Sequence, residues 1–300
     1  MKRYYAIATM LFLSSLKASS YGFSDYNFIN PSTPYQIEGT THYVDKAFFK
    51  DQTKGHLHYG DASNTLYYTH FIDEENSLTY GMGYDFLNLG WKNNPAFLEN
   101  QFHYLNGSVG FVSTTLKDWR WVINSGFSVD TKGLNFGQSA VYHGMLWGRY
   151  DTTKNIGVNV GALGWYGVKN GRAFPIFGID SCYRDHWKIQ AIFPLDASIS
   201  YQLDKNWLLG VMYENVGGPY KYPRRAHHPL IEESSPIFMI KSTGITALLQ
   251  FNQEEHIQAS LGAGWNLGGS LLIKDSTNHN GIRYPFHSAP YAQGNFSMNF

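Results

Sequence analysis

The chain has 12 histidines, several of them near serines or aspartates, and these are the first residues to weigh for chemistry. A histidine that takes the proton of a serine hydroxyl turns a poor nucleophile into one able to cleave esters. His56, His58, His70, His103 and His143 each have a Ser or Asp within a few residues, but none stands in a local pattern that marks such a site. Acidic pairs that would orient water with a histidine occur at Glu74-Glu75 and Glu254-Glu255, both in short polar turns between patterned segments. His227-His228, beside Arg224-Arg225 and Glu232-Glu233, has the donors for a metal. Adjacent side chains on an extended chain point to opposite sides, so the two imidazoles do not readily share one ion. The preferred reading leaves all of these as solvated turn, loop or lumen residues, with no catalytic, cofactor-binding or metal site assigned.

The elements that would position them follow a period of two. Leu78, Tyr80, Met82, Tyr84 and Phe86 alternate with Thr79, Gly81, Gly83 and Asp85. Ile257, Ala259, Leu261, Ala263, Trp265 and Leu267 alternate with His256, Gln258, Ser260, Gly262, Gly264 and Asn266. Trp119, Trp121, Ile123, Phe127 and Val129 do so against Arg120, Asn124, Ser128 and Asp130. Such alternation is the mark of a strand with one apolar face. These runs reach roughly ten to twelve residues, the length a tilted strand needs to cross a bilayer, against about 5–6 for an ordinary strand.

Two kinds of connection separate the runs. Short polar turns stand at 73–76, 116–118, 151–155, 204–206 and 253–255. Longer ones rich in Gly, Pro, Asn and aromatics stand at 90–100, 131–138, 169–173, 217–236 and 274–288. The kinds alternate along most of the chain, as an up-and-down barrel requires, with short turns facing the periplasm and long loops facing outside. The expected strands are 35–48, 55–71, 77–90, 102–115, 119–130, 138–150, 156–168, 174–183, 186–194, 196–203, 206–217, 237–252, 257–273 and 288–300, fourteen in all. Over 174–203 the strands are short, with Pro175 and Pro194 expected at strand ends or bulges, where no ladder donor is missed. A different pairing there would give twelve.

Composition agrees. Aromatics make up 17% and charged residues 15%, with 30 glycines and a mean hydropathy of −0.32. Soluble domains carry about 25% charged residues. No apolar run outside the N-terminus is long enough for a membrane helix, and the net charge of zero gives no sign of a nucleic-acid partner. Lys2 and Arg3, the apolar stretch from Tyr4 to Leu16 and the small residues Ala18-Ser19-Ser20 read as a cleaved secretory leader. The expected divisions are therefore a signal peptide at 1–20, a periplasmic tail at 21–34 and an outer-membrane barrel at 35–300. Cys182 is the sole cysteine, so no intrachain disulfide can form. At the other end Phe296, Met298 and Phe300 share one face of a terminal strand, resembling the signal read by the barrel-assembly machinery of Gram-negative bacteria.

A family resemblance appears in the short-strand stretch. Phe174-Pro175-Ile176-Phe177-Gly178-Ile179, His186-Trp187-Lys188-Ile189, Phe193-Pro194, Ile199-Ser200-Tyr201-Gln202-Leu203 and Trp207-Leu208-Leu209-Gly210 follow in close order. This order resembles a family of outer-membrane barrels of unassigned function found in Bacteroidetes and Chlamydiae, and the Tyr- and Phe-rich style is chlamydial. The resemblance implies the fold and no site residue.

The expected function is a narrow channel or transport barrel for an unknown solute. Its lumen would be lined by Asp85, Arg120, Asp130, Lys188, Gln190 and Gln258, with space left by Gly81, Gly83, Gly157, Gly262 and Gly264. The eight tryptophans are expected in girdles at headgroup depth. Arg is expected to be costly at Met82 and Leu261 and tolerated at Gly83 and Ser260. Expected partners are outer-membrane lipid, lipopolysaccharide and the assembly machinery, with no cofactor. The rivals are a surface structural or adhesive barrel without an open pore and, last, a lipid-modifying outer-membrane enzyme.

Overall fold

The computed structural model describes residues 33–51, 53, 55–91, 94, 99–134, 136–137, 140–166, 172–183, 186–194, 196–221, 237–253, 256–274 and 281–300. The expected leader and most of the tail, the His227-His228 segment and Glu254-Glu255 lie outside the described residues.

Among the described residues the period of two resolves into sixteen strands. They are β1 (Tyr35–Phe48), β2 (His56–Phe71), β3 (Asn76–Trp91), β4 (Gln101–Ser113), β5 (Trp119–Asp130), β6 (Ala140–Thr153), β7 (Ile156–Tyr166) and β8 (Arg172–Tyr183). There follow β9 (Trp187–Phe193), β10 (Asp196–Gln202), β11 (Trp207–Val216), β12 (Pro219–Lys221), β13 (Ile237–Gln253), β14 (Ile257–Lys274), β15 (Gly281–Phe286) and β16 (Pro290–Asn299). Fourteen of them close an antiparallel barrel in chain order, β11 pairing with β13, β14 with β16, and β16 with β1. The bounds match the fourteen expected segments to within three residues.

Two short strands fall where loops were expected. β12 continues the line of β11 and pairs with the start of β13, while β15 continues β16 and pairs with the end of β14. They raise the wall at the long-connection end. Their residues there, such as Tyr284 and Phe286, face the barrel axis, so the period-two signal was present but short.

Pro194 stands just after β9, as expected, but Pro175 lies inside β8 opposite Ala162. Its place has a simple cause: β9 pairs with β8 only from Phe177 onward, so beyond it β8 has no neighbour on that side to miss a donor.

At the short-turn end a ring of backbone bonds ties each turn to the next strand. Thr114 N–H donates to Glu75 O, Asp151 to Asp118, Cys182 to Asn155, Gln202 to His186, Asn252 to Asn206 and Asn299 to His256. Tyr35 and Phe300 exchange both backbone bonds, at 3.2 and 3.0 Å, which completes the circle. Closure leaves no strand of the fourteen as a free sheet edge along its full length, the start of β8 being the stretch without a second neighbour.

The wall is reversed relative to a soluble protein. Met82 (75% exposed) and Leu261 (72% exposed) head a long series of outward apolar side chains, including Ile123, Leu146, Ile189 and Leu249, while their neighbours in sequence are buried in the lumen. The alternation is clean along β9 and β11. β14 switches face midway: Leu267 points out at 55% exposure and Leu271 points in at 0%. The switch falls at Gly268, whose φ of +88° suits glycine, opposite a register shift between Ser242 and Gly244 of β13.

Candidate functional site

The lumen is the surface to which all fourteen strands contribute, and it has two contrasting halves. At the long-connection end the inward side chains are apolar and meet across the lumen from strands that are not neighbours in the wall. Phe102 of β4 lies 5.0 Å from Phe238 of β13, Tyr104 of β4 lies 6.0 Å from Tyr220 of β12, and Trp91 of β3 lies 4.8 Å from Tyr284 of β15. Tyr220 stacks on Phe238 at 17°. With Val44, Leu57, Leu89 and Ile273 these rings make an aromatic plug. β3 shows how the chain encodes it. Up to Asp85 the inward positions are small or polar, and beyond it they are Leu87, Leu89 and Trp91.

Just below the plug lies a polar cluster. His42 Nδ1 faces Asp61 Oδ1 at 3.4 Å, and the His42 ring packs 5.0 Å from Tyr291 and 6.0 Å from Tyr59. Tyr291 Oη donates to Glu214 Oε1 at 3.0 Å, and Thr246 Oγ1 donates to the same oxygen at 2.7 Å. The phenol of Tyr59 lies within electrostatic reach of Asp61, Glu214, Tyr220 and Tyr291. Tyr59 is 0% exposed and His42 6%, yet neither Tyr59 Oη nor His42 Nε2 has a hydrogen-bond partner among the described residues.

Toward the short-turn end a second network crosses β6, β7 and β8. Arg149 holds Asp180 through Nε at 3.0 Å and Nη2 at 2.7 Å, and also bonds Asp151. Asn159 Nδ2 donates to Asp180 at 2.8 Å while its Oδ1 accepts from Trp147 Nε1 at 3.1 Å. The paired, fork-like geometry of Arg149 on Asp180 is the strong form of such a contact.

The six residues expected to line the lumen are spread over its length. Asp85, on β3, is buried and near Asp61. Arg120, on β5, approaches the Arg149–Asp180 network. Asp130, buried near the long-connection end, accepts from the Lys132 backbone N–H at 2.7 Å. Lys188 and Gln190 are buried on β9, Lys188 beside a cavity of about 20 Å³ that Ser200 and Gln250 also line. Gln258 is half-buried on the phase of Ser260. On the terminal strand Phe296 and Phe300 point outward and Met298 is half-buried, with the Phe300 ring stacked on Tyr35 at 5.8 Å.

Two expectations need correcting. Trp91 and Trp147 are not girdle residues but buried lumen residues, because each falls on the inward phase of its strand. Outward aromatics do gather near the short-turn end, where Trp119 stacks on Trp121 at 5.0 Å and Trp187 and Trp207 pack on Tyr201 and Phe251. The inward glycines do not leave open space. A Cβ at Gly81 would meet Tyr67 at 2.7 Å, and one at Gly262 would meet Thr246 at 2.7 Å, so neighbouring side chains lie across them.

Sequence reasoning missed His42, Tyr59, Asp61, Glu214, Tyr291, Arg149 and Asp180. The inward phase of each strand selects them, but only the register across strands brings them together: Glu214 and Tyr291 are 77 residues apart.

The site defines a closed antiparallel barrel with an apolar exterior and a lumen that is apolar at one end and polar at the other. No family model matches the chain. It is similar to an uncharacterised protein of Chlamydia pneumoniae, 23% identical over 284 residues, covering 90% of this chain and 88% of that one. Uncharacterised proteins of Chlamydia trachomatis and Chlamydia muridarum match over the same shares at 21% and 20% identity. These relatives agree with the chlamydial part of the resemblance. Among solved structures, a TodX monoaromatic hydrocarbon channel mutant superposes with a TM-score of 0.45 at 10% identity, covering 96% of this chain and 98% of that one. The KdgM porin with oligogalacturonate gives 0.38 at 10%, covering 88% and 99%. LpxR from Salmonella typhimurium gives 0.37 at 8%, covering 88% and 100%. Likeness of this extent says nothing about cargo, and the barrel rests on the chain's own strand ladder.

Proposed function

We propose that the chain is an outer-membrane barrel that acts as a narrow, gated passage for a small solute, closed in this conformation by the aromatic plug. The outward apolar band supports the membrane setting, since in water so many exposed large apolar side chains would drive association. The observation that carries the passage is the state of the polar lumen. Tyr59 Oη, His42 Nε2, Arg120 Nε, both side-chain amide atoms of Gln293 and Asn266 Nδ2 are buried with no hydrogen-bond partner among the described residues. A wall built only to be stable would not leave buried polar groups unpaired, each costing about 1–3 kcal/mol. Such groups suit a lumen that exchanges water and solute. Asp85, Arg120, Asp130, Lys188, Gln190 and Gln258 then line the path.

A closed structural or surface barrel is the second reading, and the contact of Phe102 with Phe238 across the lumen favours it. A hydrolytic reading has less support, because the Thr246 hydroxyl in the polar cluster donates to Glu214 rather than to His42. Single-channel recording of the refolded chain in planar bilayers separates the first two. A gated passage gives small, intermittent conductance that rises when Phe102→Ala and Phe238→Ala are combined. Silence in both proteins refutes the passage and leaves the closed barrel.

A further inference from the structure

We propose that His42, Tyr59, Asp61, Glu214 and Tyr291 form a binding site for the cationic head of a small amphipathic amine. The proposal rests on reading the lumen as a solute path and names the class of solute held there. The chemistry of the cluster is one-sided. Asp61 and Glu214 contribute two carboxylates, and Glu214 Oε1 lies within hydrogen-bond reach of the Thr246 and Tyr291 hydroxyls, which also contact each other. His42 Nδ1 faces Asp61 at 3.4 Å, and in the tautomer that carries its proton on Nδ1 the Nε2 atom presents a lone pair. Tyr59 Oη, fully buried and unpartnered among the described residues, adds a further acceptor. An acceptor-rich box flanked by tyrosine rings fits an ammonium, which supplies N–H donors and a positive charge to the ring faces.

The surroundings of the box set the rest of the ligand. Val44, Leu57 and Val216 belong to the same buried cluster as Tyr59 and Tyr291, so the neighbours of the box are apolar and would suit an apolar body beside the charged head. The Arg149–Asp180 network is internally paired and lies toward the opposite end of the lumen, where it leaves the acidic character of the box intact.

The test is calorimetric titration of the refolded full chain in detergent with 2-phenylethylammonium, against 2-phenylethanol as a neutral analogue and 3-phenylpropionate as an anion. The ammonium should bind at least tenfold more tightly than either. Tyr59→Phe and Glu214→Gln should each weaken it about tenfold, the size of one hydrogen bond to a charged group. Tyr59→Phe removes a hydroxyl that bonds nothing in the described fold, so a purely structural tyrosine would bind the probe unchanged. Heat-dependent gel mobility shows that each variant is folded. Equal binding of the three probes, no binding, or wild-type affinity in folded Tyr59→Phe overturns the proposal. Ammonium binding by a barrel that stays electrically silent upholds the site and sinks the passage, while conductance without binding does the reverse.

Discussion

Replacing Leu261 by Arg tests whether hydrocarbon surrounds the barrel. Leu261 is 72% exposed and sits within the ladder between Leu249 of β13 and Gly294 of β16, so its removal opens no cavity. In water an exposed Leu-to-Arg change shifts stability by no more than about 0.5 kcal/mol. In a bilayer the same change near the midplane costs about 2–4 kcal/mol. Met82, 75% exposed on β3, is separated from Leu261 by β16, β1 and β2, so the two costs should add to roughly 4–8 kcal/mol. Gln258→Arg, on the lumen phase of β14, should stay within about 1 kcal/mol. Gly83 is not the neutral lumen control expected from sequence, because a Cβ there would lie 2.6 Å from Thr65 Oγ1 and 2.9 Å from Asn64 O. The assay is urea unfolding of the refolded chain in phospholipid vesicles. A Leu261→Arg cost below about 0.5 kcal/mol would show that the apolar face does not meet lipid, and the membrane setting would fall with it.

Truncation after Pro290 removes the strand that joins β14 to β1, and should abolish heat-resistant folded barrel on gels; Phe300→Ala, which loses the stack on Tyr35, should slow its appearance. Normal yields of the truncated chain would contradict closure through β16. Arg149→Ala leaves the buried carboxylate of Asp180 without its cation and should cost about 3–5 kcal/mol in denaturant unfolding, whereas Arg149→Ala with Asp180→Ala should recover part of that loss. An equal or larger loss in the double variant speaks against the pair. In the turn after β2, the Asp73 carboxylate accepts from the Asn76 side chain and from the Glu75 and Asn76 backbone N–H groups, which hold its pKa below the ordinary 3.8. A lowered folded pKa stabilises above the unfolded value and loses that contribution as pH falls through the folded one. The protection of the Glu75 and Asn76 amides, taken against the intrinsic exchange rate at each pH, should therefore be full at neutral pH and fall below about pH 4. Asp73→Asn should flatten this dependence, and an unchanged profile would assign the protection to the ladder alone.

Much of the wall was legible because each strand carries its own record of two faces. Leu78 to Phe86 and Ile257 to Leu267 give phase and length without reference to any neighbour, and short turns such as 73–76 give the ends. The plug was harder to read. Leu87, Leu89 and Trp91 continue the inward phase of Asp85, and Leu271-Leu272-Ile273 is apolar on both faces, a run that signals burial on both sides. Which rings meet across the axis depends on barrel circumference and stagger, quantities that no single strand contains. The same limit hid the cluster below. His42 and Asp61 are neighbours through adjacent strands, but Glu214 reaches Tyr291 only after β11, β13, β14 and β16 have been laid side by side.

The first and last strands of this barrel begin and end at the same rim, where Tyr35 and Phe300 join. A circle sewn shut in this way cannot gain or lose one strand, since an odd number would send the C-terminus to the far rim. While that antiparallel seam is kept, strands can be added or removed only as hairpins. Each added pair of strands would widen the circumference by roughly 9–10 Å across the strands and bring one new long connection with it. Drift among distant cousins should accordingly appear as whole strand–loop–strand units gained or lost, with the seam between Tyr35 and Phe300 kept in place.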